Sequence, residues 1–116
     1  MRLDRLRECI VALLESPAPE RFAMEKYYHP CGTPACILGH HAHRYGHGLW
    51  PFNATRNTVS CLTTWHVSAA YFDLSEGQWD ELFGEGACGG AATPRQAITY
   101  LEGFISKHAR SAVAGA

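Results

Sequence analysis

No segment of this 116-residue sequence is long and apolar enough to cross a bilayer. Met1 runs straight into Arg2, Asp4, Arg5, Arg7 and Glu8, without the apolar stretch of a secretion signal. Membrane insertion and export are both disfavoured, and a cytoplasmic location is expected. A charge excess is missing too: ten Lys and Arg stand against eleven Asp and Glu, a formal net charge of -1. The phosphate attraction that dominates nucleic-acid binding therefore has no broad source, and nucleic acid is an unfavoured partner. The five cysteines cannot all pair with one another. Reduced thiols or metal-bound thiolates are expected in place of a secreted disulfide framework. Acidic residues are absent between Glu25 and Asp73, then crowd together as Asp73, Glu76, Asp80, Glu81 and Glu85. The histidine-rich middle of the chain would gain positive charge on mild acidification, because free imidazoles titrate near ~6.5.

What is present is enough for a core: 47% of the residues are hydrophobic, in a chain long enough to bury them as one domain, residues 1–116. Leu3, Leu6, Ile10, Leu13 and Leu14 recur at helical spacing, which predicts an amphipathic helix over residues 3–15 that ends at Pro17 and Pro19. Pro19 is placed to open a second short helix from Glu20 to Tyr28. Thr33 followed by Pro34 reads as a capped helix start, with the helix running from Pro34 to Tyr45. Residues 50–60 read as a loop, with room for a short strand pair near 50–62. Leu62, Trp65, Ala69 and Phe72 then set out a helix from about Thr63 to Phe72. Ser75, Gln78 and the pair Leu74 and Trp79 supply a capping box and a hydrophobic staple for a helix over 76–83, ended by Gly84. A glycine-rich loop follows, then a last helix opened by Thr93, Pro94 and Gln96 and running to about His108. Residues 110–116 are expected to be a disordered tail. The fold class expected is all-α: one compact domain of about five or six short helices packed around the Thr33–Tyr45 segment.

The stretch from His29 to Gly48 concentrates the candidate chemistry. His41 and His43 resemble an H-x-H ligand pair, but two positions on a helix are about 200° apart and cannot close on one ion. Cys36 and His40, at i and i+4, share a face, and Cys31 could fold back from the preceding turn, with His43 or His29 as a fourth donor. Cys31, Cys36, His40 and His43 are thus the candidate metal set, with zinc the ion their softness suits. The competing reading is a buried structural cysteine pair with no cofactor, which the weight of the sequence favours. Cys36 near a helix start, with His40 one turn away, also permits a thiol nucleophile and its base. No acidic residue lies nearby in sequence to orient that histidine.

The segment Cys31-Gly-Thr-Pro-Ala-Cys-Ile-Leu-Gly-His40, the later Phe72-Asp-Leu-Ser75 leading to Gln78-Trp79 and Leu82-Phe83, and Thr93-Pro-Arg-Gln-Ala97 carry a resemblance. Over about residues 20–105 the chain resembles small helical proteins of phages, prophages and bacteria. These share a CGTxACIxG segment and an LSxxQxxxLF helix. The resemblance implies a helical fold, an intracellular and phage-type origin, and a structural role for the Cys31 and Cys36 pair. It implies no activity. With size and charge, it leads to the expectation of a non-catalytic protein that docks on a larger protein partner and inhibits a host or defence component. The alternatives are a zinc- or thiol-dependent enzyme using Cys36 and His40, and a nucleic-acid-binding module using Arg44, Arg56, Trp50 and Phe52.

Overall fold

The structure, a computed structural model, describes residues 1–24, 34–45, 62–84 and 87–114. The expected strand pair near 50–62 and the residues Cys31 and Thr33 lie outside the described residues. Among those described, the chain is all-α, with no strand. It comprises α1 (Leu3–Leu14), α2 (Ile37–Tyr45), α3 (Leu62–Phe72), α4 (Glu76–Phe83) and α5 (Pro94–Ala114).

The apolar stripe of α1 becomes its buried face, with Leu6, Cys9, Ala12 and Leu13 at 3% exposure or less. Two helices cover that stripe. α2 and α5 form the most extensive interfaces of α1, and the side chains along the α1/α5 seam set their direction. Arg7 lines one hollow of the seam with Ala109 and Arg110, and Leu14 lines another with Pro94 and Ile98, so α1 and α5 are antiparallel. Phe72 of α3 and Leu82 and Phe83 of α4 close the core from the far side; the Phe72 and Phe83 rings lie 5.3 Å apart.

Local chemistry explains most of the boundaries. Ser75 caps α4 as expected: its hydroxyl accepts the Gln78 N–H while the Gln78 side chain accepts the Ser75 N–H, and Leu74 packs against the core. At the start of α5 the Thr93 hydroxyl accepts the Gln96 N–H, but the Gln96 side chain reaches to Ala92 N–H, one residue beyond the usual box. The loop between α4 and α5 contains a left-handed turn at Ala87–Gly90, with positive φ at Cys88, Gly89 and Gly90. Glycine suits position 89 on two counts, its φ of 66° and the Tyr100 ring, which would stand 3.2 Å from a Cβ there.

Three boundaries differ from those expected. The segment opened by Pro19 makes a single 3₁₀ turn, Pro19–Arg21, and Phe22 is already extended, so no helix continues from Glu20. The next residue's N–H, that of Ala23, donates to the Ala35 carbonyl at 3.0 Å instead of to a helical partner. The same bond withdraws Ala35 from helix, and α2 starts at Ile37 rather than Pro34. The last helix continues past His108 to Ala114, a run in which alanine, the best helix former, is the commonest residue.

Candidate functional site

Cys36 directly precedes α2 and caps it. Its carbonyl accepts the His40 N–H at 3.0 Å, and its sulfur accepts the Gly39 N–H at 3.4 Å. One free N–H of the first turn, that of Gly39, is thereby met by a thiol where serine or aspartate usually serves. The helix is buried over most of its length: every residue from Ile37 to Ala42 is buried, His43 and Arg44 are exposed, and Tyr45 is half-buried.

Polar side chains of α1 and of the two residues that follow it hold this helix at three points. His40 lies 2.7 Å from the Cys36 carbonyl through Nδ1 and 2.7 Å from the Ser16 hydroxyl through Nε2. A carbonyl only accepts, so Nδ1 carries the proton, Nε2 is the acceptor, and the Ser16 O–H donates to it. His41, fully buried, takes the opposite tautomer: its Nε2–H donates to Glu8 Oε1 at 2.9 Å. Arg44 pairs with Glu15 at the surface.

Glu8 Oε1 also accepts the Tyr71 hydroxyl at 2.7 Å, which ties α3 to the same carboxylate. The Arg5 guanidinium sits 4.3 Å over the Tyr71 ring and donates to the Tyr71 carbonyl at 2.9 Å. The His41 ring packs within 5.5 Å of the Tyr45, Tyr71 and Phe72 rings. Burial pushes both imidazoles below their ordinary 6.5, and the bonds to Cys36 and Glu8 only partly oppose it. Burial and the Glu8 carboxylate together push the Tyr71 hydroxyl up to about 12.

The expected metal donors are only partly brought together. Cys36 and His40 are adjacent and buried, His43 is exposed, and Cys31 lies outside the described residues. Among the described residues no three His, Cys, Asp or Glu side chains stand close enough to hold an ion. Both His40 nitrogens engage oxygen, not the Cys36 sulfur.

Ser16 and His40 have the spacing of a nucleophile and its base, but the end of α1 supplies no oxyanion donor beside them. Ser16 follows the C-terminus of α1, where carbonyls rather than N–H groups point outward, and its own N–H is bonded to the Leu13 carbonyl. A developing oxyanion finds no donor from that helix. Sequence reasoning set aside His41 and did not single out Glu8 and Tyr71, the half-buried centre of this polar network. The only local signal was Glu8, an acid one residue from the buried Cys9 on the apolar side of α1.

The described concavity lies elsewhere. A cleft of about 810 Å³ runs along the α1/α5 seam, floored by Ile10, Val11 and Ile105 and flanked by Arg7, Glu102 and Arg110. A second hollow of about 720 Å³ lies beside Leu14, Ile98, Arg95 and Glu20, and Glu102 lines both. Val11 and Leu14, 38% and 70% exposed, are the large hydrophobic residues left in solvent among those described, and both stand on this seam. No histidine or cysteine lines either hollow. Comparison with family models, with curated proteins and with solved structures finds no match to this chain.

Proposed function

We propose that this chain is a non-catalytic protein-binding domain that docks on a larger protein through the α1/α5 face. The observation that carries the reading is the separation of cavity from chemistry. Among the described residues His40 and His41 are buried and bonded to Ser16 and Glu8, whereas the accessible cleft has an apolar floor and no histidine or cysteine along it. A solvent-facing Leu14 beside Val11 on one helix face is what an interface core needs before its partner arrives. The resemblance to phage-type chains makes a host or defence component the partner class, with inhibition by occupancy as the outcome.

The test is affinity capture from host lysate with the wild-type chain and with a Val11→Asp, Leu14→Asp double variant. Wild type recovers a stoichiometric partner and the double variant, still helical by circular dichroism, loses it. Recovery of no partner, or equal recovery by both chains, refutes the reading.

A further inference from the structure

We propose that a second copy of this chain covers the α1/α5 face while no other partner holds it, in a two-fold dimer that sets the basic end of each seam against the acidic end of the other. This goes beyond the docking reading above and shares its surface, since a partner would have to displace the second copy.

The seam carries opposite charge at its two ends. Order along it is fixed by the helices themselves: Arg95, Glu102 and Arg110 follow one another on α5, and Arg7 of α1 stands at the Arg110 end. Arg7 and Arg110 are both exposed and make that end doubly positive. Toward the other end Glu102, which lines both hollows, and Glu20 outweigh Arg95 and leave a net negative charge. None of these five groups forms an ion pair among the described residues. The other exposed charges along α1 and at its end are already engaged, Arg2 with Asp4 and Glu15 with Arg44. Val11 and Leu14, the large apolar residues in solvent, lie between the basic and the acidic end.

A two-fold axis perpendicular to such a seam exchanges its ends, so the pattern complements itself. Glu102 and Arg110 are eight residues apart on α5, or about 12 Å. An axis crossing α5 near Ser106 therefore brings Glu102 of each copy level with Arg110 of the other. Arg7, which lines the same hollow as Arg110, adds to the positive charge that carboxylate meets. The small side chain of Ser106 then faces its own counterpart and lets the two seams approach. Val11 and Leu14 leave solvent, and the α1/α5 pairs of the two copies close as four helices on one apolar layer. A foreign helix would need acid opposite Arg7 and Arg110 and base opposite Glu102 and Glu20 at this same spacing, a pattern the chain itself supplies. An anionic membrane fits less well, because both glutamates border the apolar strip. A formal net charge of -1 leaves two copies little mutual repulsion to overcome.

The experiment is sedimentation of the full chain over a concentration series, beside variants whose helicity is checked by circular dichroism. Wild type should move from the 12.8 kDa monomer toward twice that mass as concentration rises. Leu14→Asp, at a position 70% exposed and so outside the core, should stay monomeric. The Arg7→Glu, Arg110→Glu chain and the Glu20→Arg, Glu102→Arg chain should each self-associate about tenfold or more less tightly than wild type, because like charges then face each other. An equimolar mixture of those two chains should recover the dimer, the result that exchange of unlike ends requires. Wild type that stays monomeric throughout overturns the proposal and leaves the docking reading to its own capture experiment. A dimer indifferent to Leu14→Asp, charge-reversed chains that each pair as tightly as wild type, or a mixture that does not recover also refutes it.

Discussion

Acid should weaken this protein well before its carboxylates are protonated, and the two buried imidazoles set the scale. His40 and His41 are 1% and 0% exposed and sit neutral in opposite tautomers, with burial holding both below the ordinary 6.5. In the unfolded chain each returns to about 6.5 and takes up a proton that the folded form refuses. The sign follows directly. The unfolded state binds more protons, so stability is fully present above pH 6.5 and is lost as pH falls through the unfolded value. Between pH 7.5 and 5.5 the loss is at most about 1.4 kcal/mol per imidazole, or about 2.7 kcal/mol for both. The full amount is reached if neither ring protonates in the folded state. That is a large part of the ~5–15 kcal/mol that holds a typical domain together.

Urea unfolding at half-unit pH steps measures it, with the denaturant slope checked for constancy. His41→Gln keeps a donor toward Glu8 and cannot titrate, so its loss over the same range should be about half that of wild type. His40→Gln should behave likewise. A wild-type stability that is flat from pH 7.5 to 5.5, or a His41→Gln variant as acid-sensitive as wild type, would refute the assignment of these rings as buried and neutral.

Other consequences are simpler to measure. Glu8→Ala removes the acceptor shared by His41 and Tyr71 and should cost about 2–4 kcal/mol in chemical denaturation, whereas Glu8→Gln, which keeps a carbonyl oxygen, should cost less than half of that. Phe72→Ala, at the centre of the core with no exposed surface, should cost about 3–5 kcal/mol by the same measurement. Ser75→Ala deletes one half of a complete capping box and should lower stability by about 1 kcal/mol. Burial pushes the Cys88 thiol up to about 12 and the Cys9 thiol well above its usual value. Under native conditions both should therefore react with a thiol reagent only at the rate of transient opening, resolved site by site by mass spectrometry.

Where a boundary depends on neighbours in sequence, it could be read from sequence. The Ser75 and Gln78 box, the Thr93 cap, the Gly84 stop and the amphipathic stripe of α1 all operate within one helical turn. Where a distant group intervenes, the local reading misleads. Thr33 and Pro34 look like a helix start, yet Ala23 reaches Ala35 across the intervening chain and defers α2 by three residues. Spacing put Cys36 and His40 on one face of α2 and set His41 apart from them. The helix is instead enclosed over most of its length, and both His40 and His41 are buried. The partners that make this tolerable, Ser16, Glu8 and Tyr71, are 24, 33 and 63 residues from the groups they bond, a pairing no spacing rule contains. The groove was invisible for the same reason. Val11 and Leu14 are ordinary positions on α1 until α5 lies beside them.

The antiparallel pairing of α1 with α5 also has a consequence in time. About 80 residues of synthesis separate Leu14 from Pro94, which at ~5–20 residues per second is roughly 4–16 seconds. Through that interval the seam of α1 that faces α5 has no cover. A newly made chain therefore presents to chaperones, for seconds, a longer apolar strip than the finished domain ever shows.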